Sequence, residues 1–243
     1  MNHRLQHLHE RQHALAVAAV CALAALSFLP ARAADEPAQP AKNPSEKWEK
    51  DIKRFEEKDQ ASPPPKGEVL FVGSSSIVKL KNEKWFPNVK AVNRGFGGSH
   101  IADSVYYFDR IVKPYEPKVI VFHAGGNDIA AGKTPETVCE DFKAFVKKVH
   151  DTLPKTKLIF MQQQPSGARW KIWPKTLAAN QLIAEYCKTD PLLATCDVSK
   201  VLLGENGEPL AELFEKDKLH MSEAGYKVWT ALLEPVLMKA LKE

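Results

Sequence analysis

Five short hydrophobic runs alternate along the chain with longer segments in which apolar residues recur every three or four positions. The runs do not alternate strictly between apolar and polar residues, and this pattern is typical of parallel strands buried on both faces. They are "EVLFVG" (68–73), "VKAVNRG" (89–95), "KVIVFHAG" (118–125), "KLIFMQQQ" (157–164) and "LLATCDV" (192–198). We expect each run to form one strand.

The segments between these runs predict helices. One begins near Ser99, and its apolar face would be Ile101, Val105, Phe108 and Val112. Another begins at Thr134, which precedes a proline at the first helical position. Further helices are predicted over about 174–188, from Ser222 onward and, ahead of the first strand, over about 44–58. Alternating strands and helices predict a three-layer α/β/α sandwich with a five-stranded parallel sheet.

The N-terminal segment has the pattern of a secretory signal peptide. Arg4 and Arg11 precede the uncharged run "ALAVAAVCALAALSFL" (14–29), and Ala31 and Ala33 occupy the small-residue positions of a cleavage site. The alternative is an uncleaved anchor, but 16 apolar residues are short for a membrane span of about 20. We therefore expect a signal peptide at 1–33, a disordered leader at 34–43 and a single domain at 44–243 with its core at about 68–243. The protein would be periplasmic or secreted by a bacterium, without stable membrane insertion after cleavage.

Charge and cysteine content exclude several classes of protein. Cleavage after residue 33 would leave 31 basic and 29 acidic side chains, with no block of like charge, so nothing favours nucleic acid as a partner. The mature chain would keep Cys139, Cys187 and Cys196, too few for a disulfide framework. Cys187 and Cys196 are close enough in sequence to pair, but three buried thiols are the favoured interpretation. No cysteine and histidine spacing predicts a zinc site.

Polar segments follow the predicted strands, and the carboxyl ends of parallel strands are where sites form in such sheets. These segments are "GSSSI" (73–77), "NRGFGGSH" (93–100), "GGND" (125–128), "PSGARWKIWP" (165–174) and "DKLH" (217–220). Each alone has an ordinary structural explanation, such as a helix cap, a phosphate-binding turn or a tight turn. Together they bring a serine hydroxyl, a histidine with an aspartate three residues earlier, and oxyanion donors to one edge of the sheet. A serine nucleophile needs a base, a carboxylate that orients the base, and donors for the oxyanion.

These segments resemble the four sequence blocks of the GDSL/SGNH hydrolase superfamily. The resemblance covers about residues 68–236 and implies a flavodoxin-like α/β/α sandwich. It implies a triad of Ser75, His220 and Asp217, and an oxyanion hole formed by the N–H groups of Ser75 and Gly98 and the side chain of Asn127. It departs from the family at Ser74, where the first block usually has aspartate. That aspartate is not a triad member, so its loss weakens only the support of the nucleophile loop.

The resemblance implies a serine esterase that forms an acyl-enzyme and needs neither a metal nor an organic cofactor. The expected substrate is a small-molecule or glycan ester with a short acyl group, such as acetyl on carbohydrate. Trp170 and Trp173 could stack on a sugar ring or cover the core, and His100 is a third candidate substrate contact. The alternatives are a lysophospholipase- or thioesterase-like lipid acylhydrolase, an acyltransferase, a glycan-binding member without catalysis, and a phosphate-binding protein.

Overall fold

A parallel sheet of five strands forms the middle layer of the protein. The computed structural model describes residues 43–242. The strands are β1 (Val69–Gly73), β2 (Ala91–Gly95), β3 (Val119–His123), β4 (Lys157–Met161) and β5 (Leu193–Cys196). They lie in the order β2-β1-β3-β4-β5, and all four neighbouring pairs are parallel. The predicted five-stranded parallel sheet is confirmed.

Helices cover both faces of this sheet. In chain order they are α1 (Glu49–Ala61), α2 (Ser75–Lys79), α3 (Asn82–Trp85), α4 (Ile101–Tyr106), α5 (Phe108–Ile111), α6 (Gly126–Ala130), α7 (Pro135–Thr152), α8 (Trp173–Cys187) and α9 (Glu223–Lys242). Short 3-10 turns cover Pro44–Trp48, Lys113–Tyr115, Gly167–Ile172 and Ala211–Leu213. None of the helices within residues 43–242 is long and apolar enough to cross a membrane.

Two hydrophobic clusters, one on each face of the sheet, create the three layers. Alternate residues of a strand point to opposite faces, so Leu70 and Val72 join one cluster while Val69 and Phe71 join the other. The first cluster packs under α1, α4, α5, α7 and α8, and the second packs under α2 and α9. Burial on both faces explains why the strands are continuous apolar runs.

The helix that we expected from Ser99 through Val112 is broken in two at Tyr107. Tyr107 has a ψ of 8° and links α4 to α5. Its buried hydroxyl group donates a hydrogen bond to Ser45 O at 3.0 Å. The sequence pattern placed the apolar face correctly, since Ile101, Phe108 and Val112 are fully buried. The break accompanies a contact with the distant N-terminal turn, which local periodicity cannot predict.

The predicted N-terminal segments precede the folded domain. The expected signal peptide at 1–33 and residues 34–42 of the expected leader lie outside the described residues.

Cys139, Cys187 and Cys196 are buried free thiols, as the favoured interpretation predicted. Burial raises the pKa of Cys187 and Cys196 to about 12, so these thiols are unreactive at neutral pH.

Candidate active site

The serine segment lies where β1 ends and α2 begins. Gly73 has a φ of +151°, and a Cβ atom there would lie 2.1 Å from His123 O, so only glycine fits this close approach between β1 and β3. Ser74 is extended, and Ser75 is the first residue of α2. Ser74 and Ser76 are buried, whereas Ser75 is half-buried. Ser75 is therefore the most exposed of the three serines.

The loop that precedes α9 brings His220 and Asp217 to Ser75. His220 Nε2 lies 2.9 Å from Ser75 Oγ, and His220 Nδ1 lies 2.6 Å from Asp217 Oδ2. The backbone N–H groups of Leu219 and His220 both donate to Asp217 Oδ1, at 2.9 and 3.0 Å. Asp217 thus accepts from both the backbone and the ring, which fixes the orientation of the imidazole.

Hydrogen bonds also set the charge of Asp217. The ring N–H of His220, followed by the backbone N–H groups of His220 and Leu219, holds the pKa of Asp217 well below its usual range. Because these donors stabilise the ionised carboxylate, Asp217 stays negative throughout the neutral and mildly acidic range. A negative Asp217 keeps the proton of neutral His220 on Nδ1 and leaves Nε2 free to accept the Ser75 hydroxyl proton.

Two loops that carry backbone N–H groups, those of Ser75 and Gly98, lie beside each other. Gly98 has a φ of +78°, and a Cβ atom at the neighbouring Gly97 would lie 4.0 Å from the Ser75 Cβ atom. Within residues 43–242, neither the N–H of Ser75 nor that of Gly98 has a hydrogen-bond acceptor. The arrangement suits an oxyanion, which requires converging donors that the protein itself does not satisfy.

Asn127 lies in α6, directly after β3, with its amide held from both ends. Its Nδ2 atom donates to Ser99 O at 3.0 Å, and its Oδ1 atom accepts from Arg169 Nη2 at 2.7 Å. An amide nitrogen has two protons, so one N–H of the half-buried Asn127 has no acceptor within residues 43–242. The amide orientation is therefore defined by its neighbours, with the nitrogen on the Ser99 side.

Buried polar groups hold the loop that carries Asn127. Gln163 accepts a hydrogen bond from Gly126 N at 3.1 Å and donates one to Ala124 O at 3.0 Å. His123, at the end of β3, is fully buried with its ring Nδ1 2.9 Å from Met161 O. Burial lowers the pKa of His123 to about 4, so this histidine is neutral at physiological pH and its role is structural.

The three candidate substrate contacts have different surroundings. Trp173 is only 8% exposed, and its burial favours the interpretation that it covers the core. Trp170 is partly exposed and lines a pocket of about 240 Å³ that also contains Lys218 and Phe214. His100 precedes α4 as its cap, with Nδ1 3.8 Å from Asp128 Oδ1.

Arg169 and Trp48 border the site, although neither belongs to the motifs that predicted it. Arg169 follows β4 and contacts Asn127. An added Cβ atom on Gly98 would lie 3.2 Å from the Trp48 ring, and that ring is held by a 3.0 Å hydrogen bond to Asp103 Oδ2. The position of Arg169 after a strand was an available signal. No sequence signal indicated Trp48 as a site residue, because its contact with Gly98 joins segments about 50 residues apart.

Among the described residues, one group of side chains has the composition of a metal site: Glu215, Asp217 and His220. Their donor atoms already have partners. Glu215 forms an ion pair with Lys79 at 2.6 Å, and His220 bridges Asp217 and Ser75. The contacts of this group are those of a hydrogen-bonded triad beside an ion pair.

Comparison with known proteins identifies the family. Residues 78–228 match the sequence model of the GDSL-like lipase/acylhydrolase family. The chain belongs to this family and is an ester hydrolase. The match contains Gly98, Asn127, Asp217 and His220, and it begins three residues after Ser75. No curated protein sequence matches the chain.

Solved structures share the fold at low sequence identity. A GDSL-like lipase from Bacteroides thetaiotaomicron superposes with a TM-score of 0.65 and 21% identity, covering 78% of this chain and 98% of that one. A carbohydrate esterase family 3 protein from Talaromyces cellulolyticus gives 0.59 and 15%, covering 72% and 98%. A variant of an acetyl-xylooligosaccharide esterase from Geobacillus gives 0.57 and 14%, covering 70% and 94%. At these identities the similarity is one of fold.

Proposed function

We propose that the protein is a serine esterase that works through an acyl-enzyme, with Ser75 as nucleophile, His220 as base and Asp217 as the carboxylate that orients it. The observation that carries the proposal is the continuous chain of contacts from Ser75 Oγ to His220 Nε2, at 2.9 Å, and from His220 Nδ1 to Asp217 Oδ2, at 2.6 Å. The first distance is within the range for proton transfer from a nucleophile to its base, and the second is within the range for a hydrogen bond from the base to the carboxylate that orients it.

The reaction proceeds in two halves. His220 Nε2 takes the hydroxyl proton as Ser75 Oγ attacks the ester carbonyl carbon, and Asp217 stabilises the resulting imidazolium. His220 then returns the proton to the leaving alcohol, and the acyl group remains on Ser75. In the second half a water molecule attacks the acyl-enzyme with His220 again as base, which releases the acid and restores Ser75.

The oxyanion of each tetrahedral intermediate is bound by three donors. These are the N–H groups of Ser75 and Gly98 and the remaining amide N–H of Asn127. The two backbone groups have no acceptor within residues 43–242, which supports this role. Donors that are already oriented and unsatisfied stabilise developing charge at little reorganisation cost.

The proposal extends to short acyl groups, in particular acetyl esters of carbohydrates. Partly exposed Trp170 supports it, since an aromatic face suits a sugar ring. Two proteins of similar fold are described as a carbohydrate esterase and an acetyl-xylooligosaccharide esterase. Lysophospholipids and thioesters are the alternative substrates, and acyl-chain preference separates them from acetyl esters. We also propose export to the periplasm or the medium, which the signal-like sequence of residues 1–33 supports.

Hydrolysis of p-nitrophenyl esters from acetate to palmitate tests the proposal. Wild-type protein (34–243) should hydrolyse the acetate best. Ser75→Ala should lose at least about 10⁴-fold in kcat, as expected for removal of a nucleophile. Ser74→Ala is the matched control because it removes the same atom one residue away, and it should retain activity. Full activity in Ser75→Ala would contradict the assignment of the nucleophile, and a preference for palmitate would contradict the short-acyl proposal.

A further inference from the structure

Arg169 is a half-buried cation without an acidic partner among the described residues. Its side chain makes one hydrogen bond, from Nη2 to Asn127 Oδ1 at 2.7 Å, and no carboxylate of residues 43–242 forms an ion pair with it. The other partly buried arginines differ in this respect, because Arg94 pairs with Asp59, and Arg110 pairs with Glu49 and Glu56. Removing a cation from water without a compensating anion is unfavourable, so the site is incomplete as it stands.

The pKa of Arg169 is also consistent with a half-buried positive charge that no nearby carboxylate compensates. Burial lowers this pKa from its ordinary value, and no neighbouring acid opposes the effect. By contrast, the hydrogen bonds that Arg110 donates to Glu56 and Glu49 raise the pKa of Arg110. Arg169 still remains charged at neutral pH, since an arginine does not deprotonate in that range.

The guanidinium group lies at the edge of the sheet where the ester would bind. It belongs to the 3-10 turn Gly167–Ile172, which follows β4, while Asn127 follows the neighbouring strand β3. A Cβ atom on Gly126 would lie 3.1 Å from Arg169 Nη1, so the group packs closely against the loop that carries Asn127. Within the described chain, Nη1 and Nε have no hydrogen-bond acceptor.

We propose that Arg169 binds an anionic group of the substrate, a carboxylate or a phosphate, so that the enzyme acts on acidic esters. The proposal rests on the esterase function described above and adds a substrate class to it. The planar fork of an arginine binds a carboxylate or phosphate through two parallel hydrogen bonds. Orienting Asn127 alone would require only a neutral donor, whereas an unpaired charge with free donors fits an anion supplied by the ligand.

Two matched pairs of esters test the proposal. The first pair is 3-acetoxybenzoate and its methyl ester, in which the charge is on the alcohol side. The second is mono-p-nitrophenyl adipate and its methyl ester, in which the charge is on the acyl side. The measured quantity is the ratio of kcat/KM for the anionic ester to that for its neutral partner, which cancels any effect common to both substrates.

The wild-type ratio should exceed one for at least one pair, and that pair identifies the side that carries the anion. Arg169→Gln retains an N–H for Asn127 but removes the charge, so it should lower both rates and lower the ratio by about 10- to 100-fold. Arg169→Lys retains the charge without the fork and should lower the ratio less. Lys171→Gln removes a charge from an exposed position on the same turn, and its ratio should equal that of the wild type.

Equal losses on charged and neutral esters in Arg169→Gln would overturn the proposal, because Arg169 would then only orient Asn127. A fall in the ratio in Lys171→Gln would also overturn it, since the effect would then be general surface charge. Binding provides a readout that does not depend on turnover. 3-Hydroxybenzoate or adipate should raise the wild-type Tm. The fully esterified, neutral methyl esters of these two acids should not raise it. In Arg169→Gln the two acids should no longer raise the Tm.

Failure of the esterase function would have a different signature. It would appear as activity that survives in Ser75→Ala, or as no hydrolysis of any ester, while the anion-dependent rise in Tm persisted. No rise in the wild-type Tm together with no preference for the anionic esters would overturn the Arg169 proposal, whatever the outcome for Ser75.

Discussion

At the scale of single residues, backbone position gives three adjacent serines different environments. Gly73 ends β1 in a conformation that brings the chain against His123 O, and Ser74 continues it in an extended form. Ser75 begins α2 and, of the three serines, is the one that is not buried. The family motif and the structure therefore agree on which of the three hydroxyl groups can reach His220, although they rest on different kinds of evidence.

Replacing Asn127 by alanine removes one of the three proposed oxyanion donors. We expect kcat to fall by about 10²–10³-fold with little change in stability, since within residues 43–242 the half-buried side chain makes two hydrogen bonds. Kinetics with p-nitrophenyl acetate and a thermal melt of the same sample measure the two effects. Wild-type kcat in a folded variant would exclude Asn127 from the oxyanion hole.

The sequence predicted those site residues that belong to short motifs. Asp217 and His220 are three positions apart, so one turn of chain joins them, and Ser75, Gly98 and Asn127 each directly follow a strand end. The contact of Arg169 with Asn127 was not predicted, and the sequence left open whether Trp173 is buried. Both depend on how the segment after β4 packs against loops from other strands, and local sequence contains no information about that packing.

At the scale of elements, α1 is attached to the sheet by charged contacts. Arg94, at the end of β2, is only 8% exposed and pairs with Asp59 of α1. Its Nε atom also donates to the Tyr115 hydroxyl at 2.6 Å. Two other acidic residues of α1, Glu49 and Glu56, pair with Arg110 of α5. These contacts hold a helix that precedes the residues matched by the family.

Substituting methionine for Arg94 tests this attachment. The change leaves Asp59 without its cation. We expect the free energy of unfolding to fall by about 3 kcal/mol, because breaking a buried ion pair leaves the remaining charge uncompensated. Lys66→Met is the matched control, since it breaks the Lys66–Glu116 pair, whose side chains are 64% and 55% exposed. It should change stability by less than about 0.5 kcal/mol. Denaturant unfolding of both variants measures the difference, and equal losses would contradict the buried attachment.

The hydrophobic pattern predicted the strands and helices more accurately than it predicted where a helix is broken. All five strands were predicted because each is a continuous apolar run between turn residues. The division between α4 and α5 was missed, because Tyr107 leaves the helix where its hydroxyl contacts Ser45. A tertiary contact overrides local propensity at such a point.

At the scale of the whole molecule, the described residues form one three-layer domain with the proposed chemistry at the carboxyl ends of its strands. Gly73 pairs in register with both Gly95 and His123, so β1, β2 and β3 end at the same level. Segments from distant parts of the chain meet there because parallel strands have their carboxyl ends on one edge. Fold class and site location were therefore predictable together.

The proposed export concerns residues 1–33 and has its own test. After expression of residues 1–243 in a bacterial host, we expect the periplasmic or secreted protein to begin at Ala34, because Ala31 and Ala33 suit signal peptidase. N-terminal sequencing measures this directly. Ala33→Glu places a charge at the cleavage position and should block processing. A mature protein that still begins at Met1 would contradict the proposal.

The central claim is that Ser75 is the nucleophile, and covalent labelling tests it most directly. A fluorophosphonate reacts with an activated serine, and trypsin then releases residues 67–79, which contain all three serines. Fragmentation of this peptide in a mass spectrometer locates the added group. The account predicts stoichiometric label on Ser75 and none in the His220→Ala variant, because the hydroxyl needs its base. Label on Ser74 or Ser76, or equal labelling without His220, would contradict it.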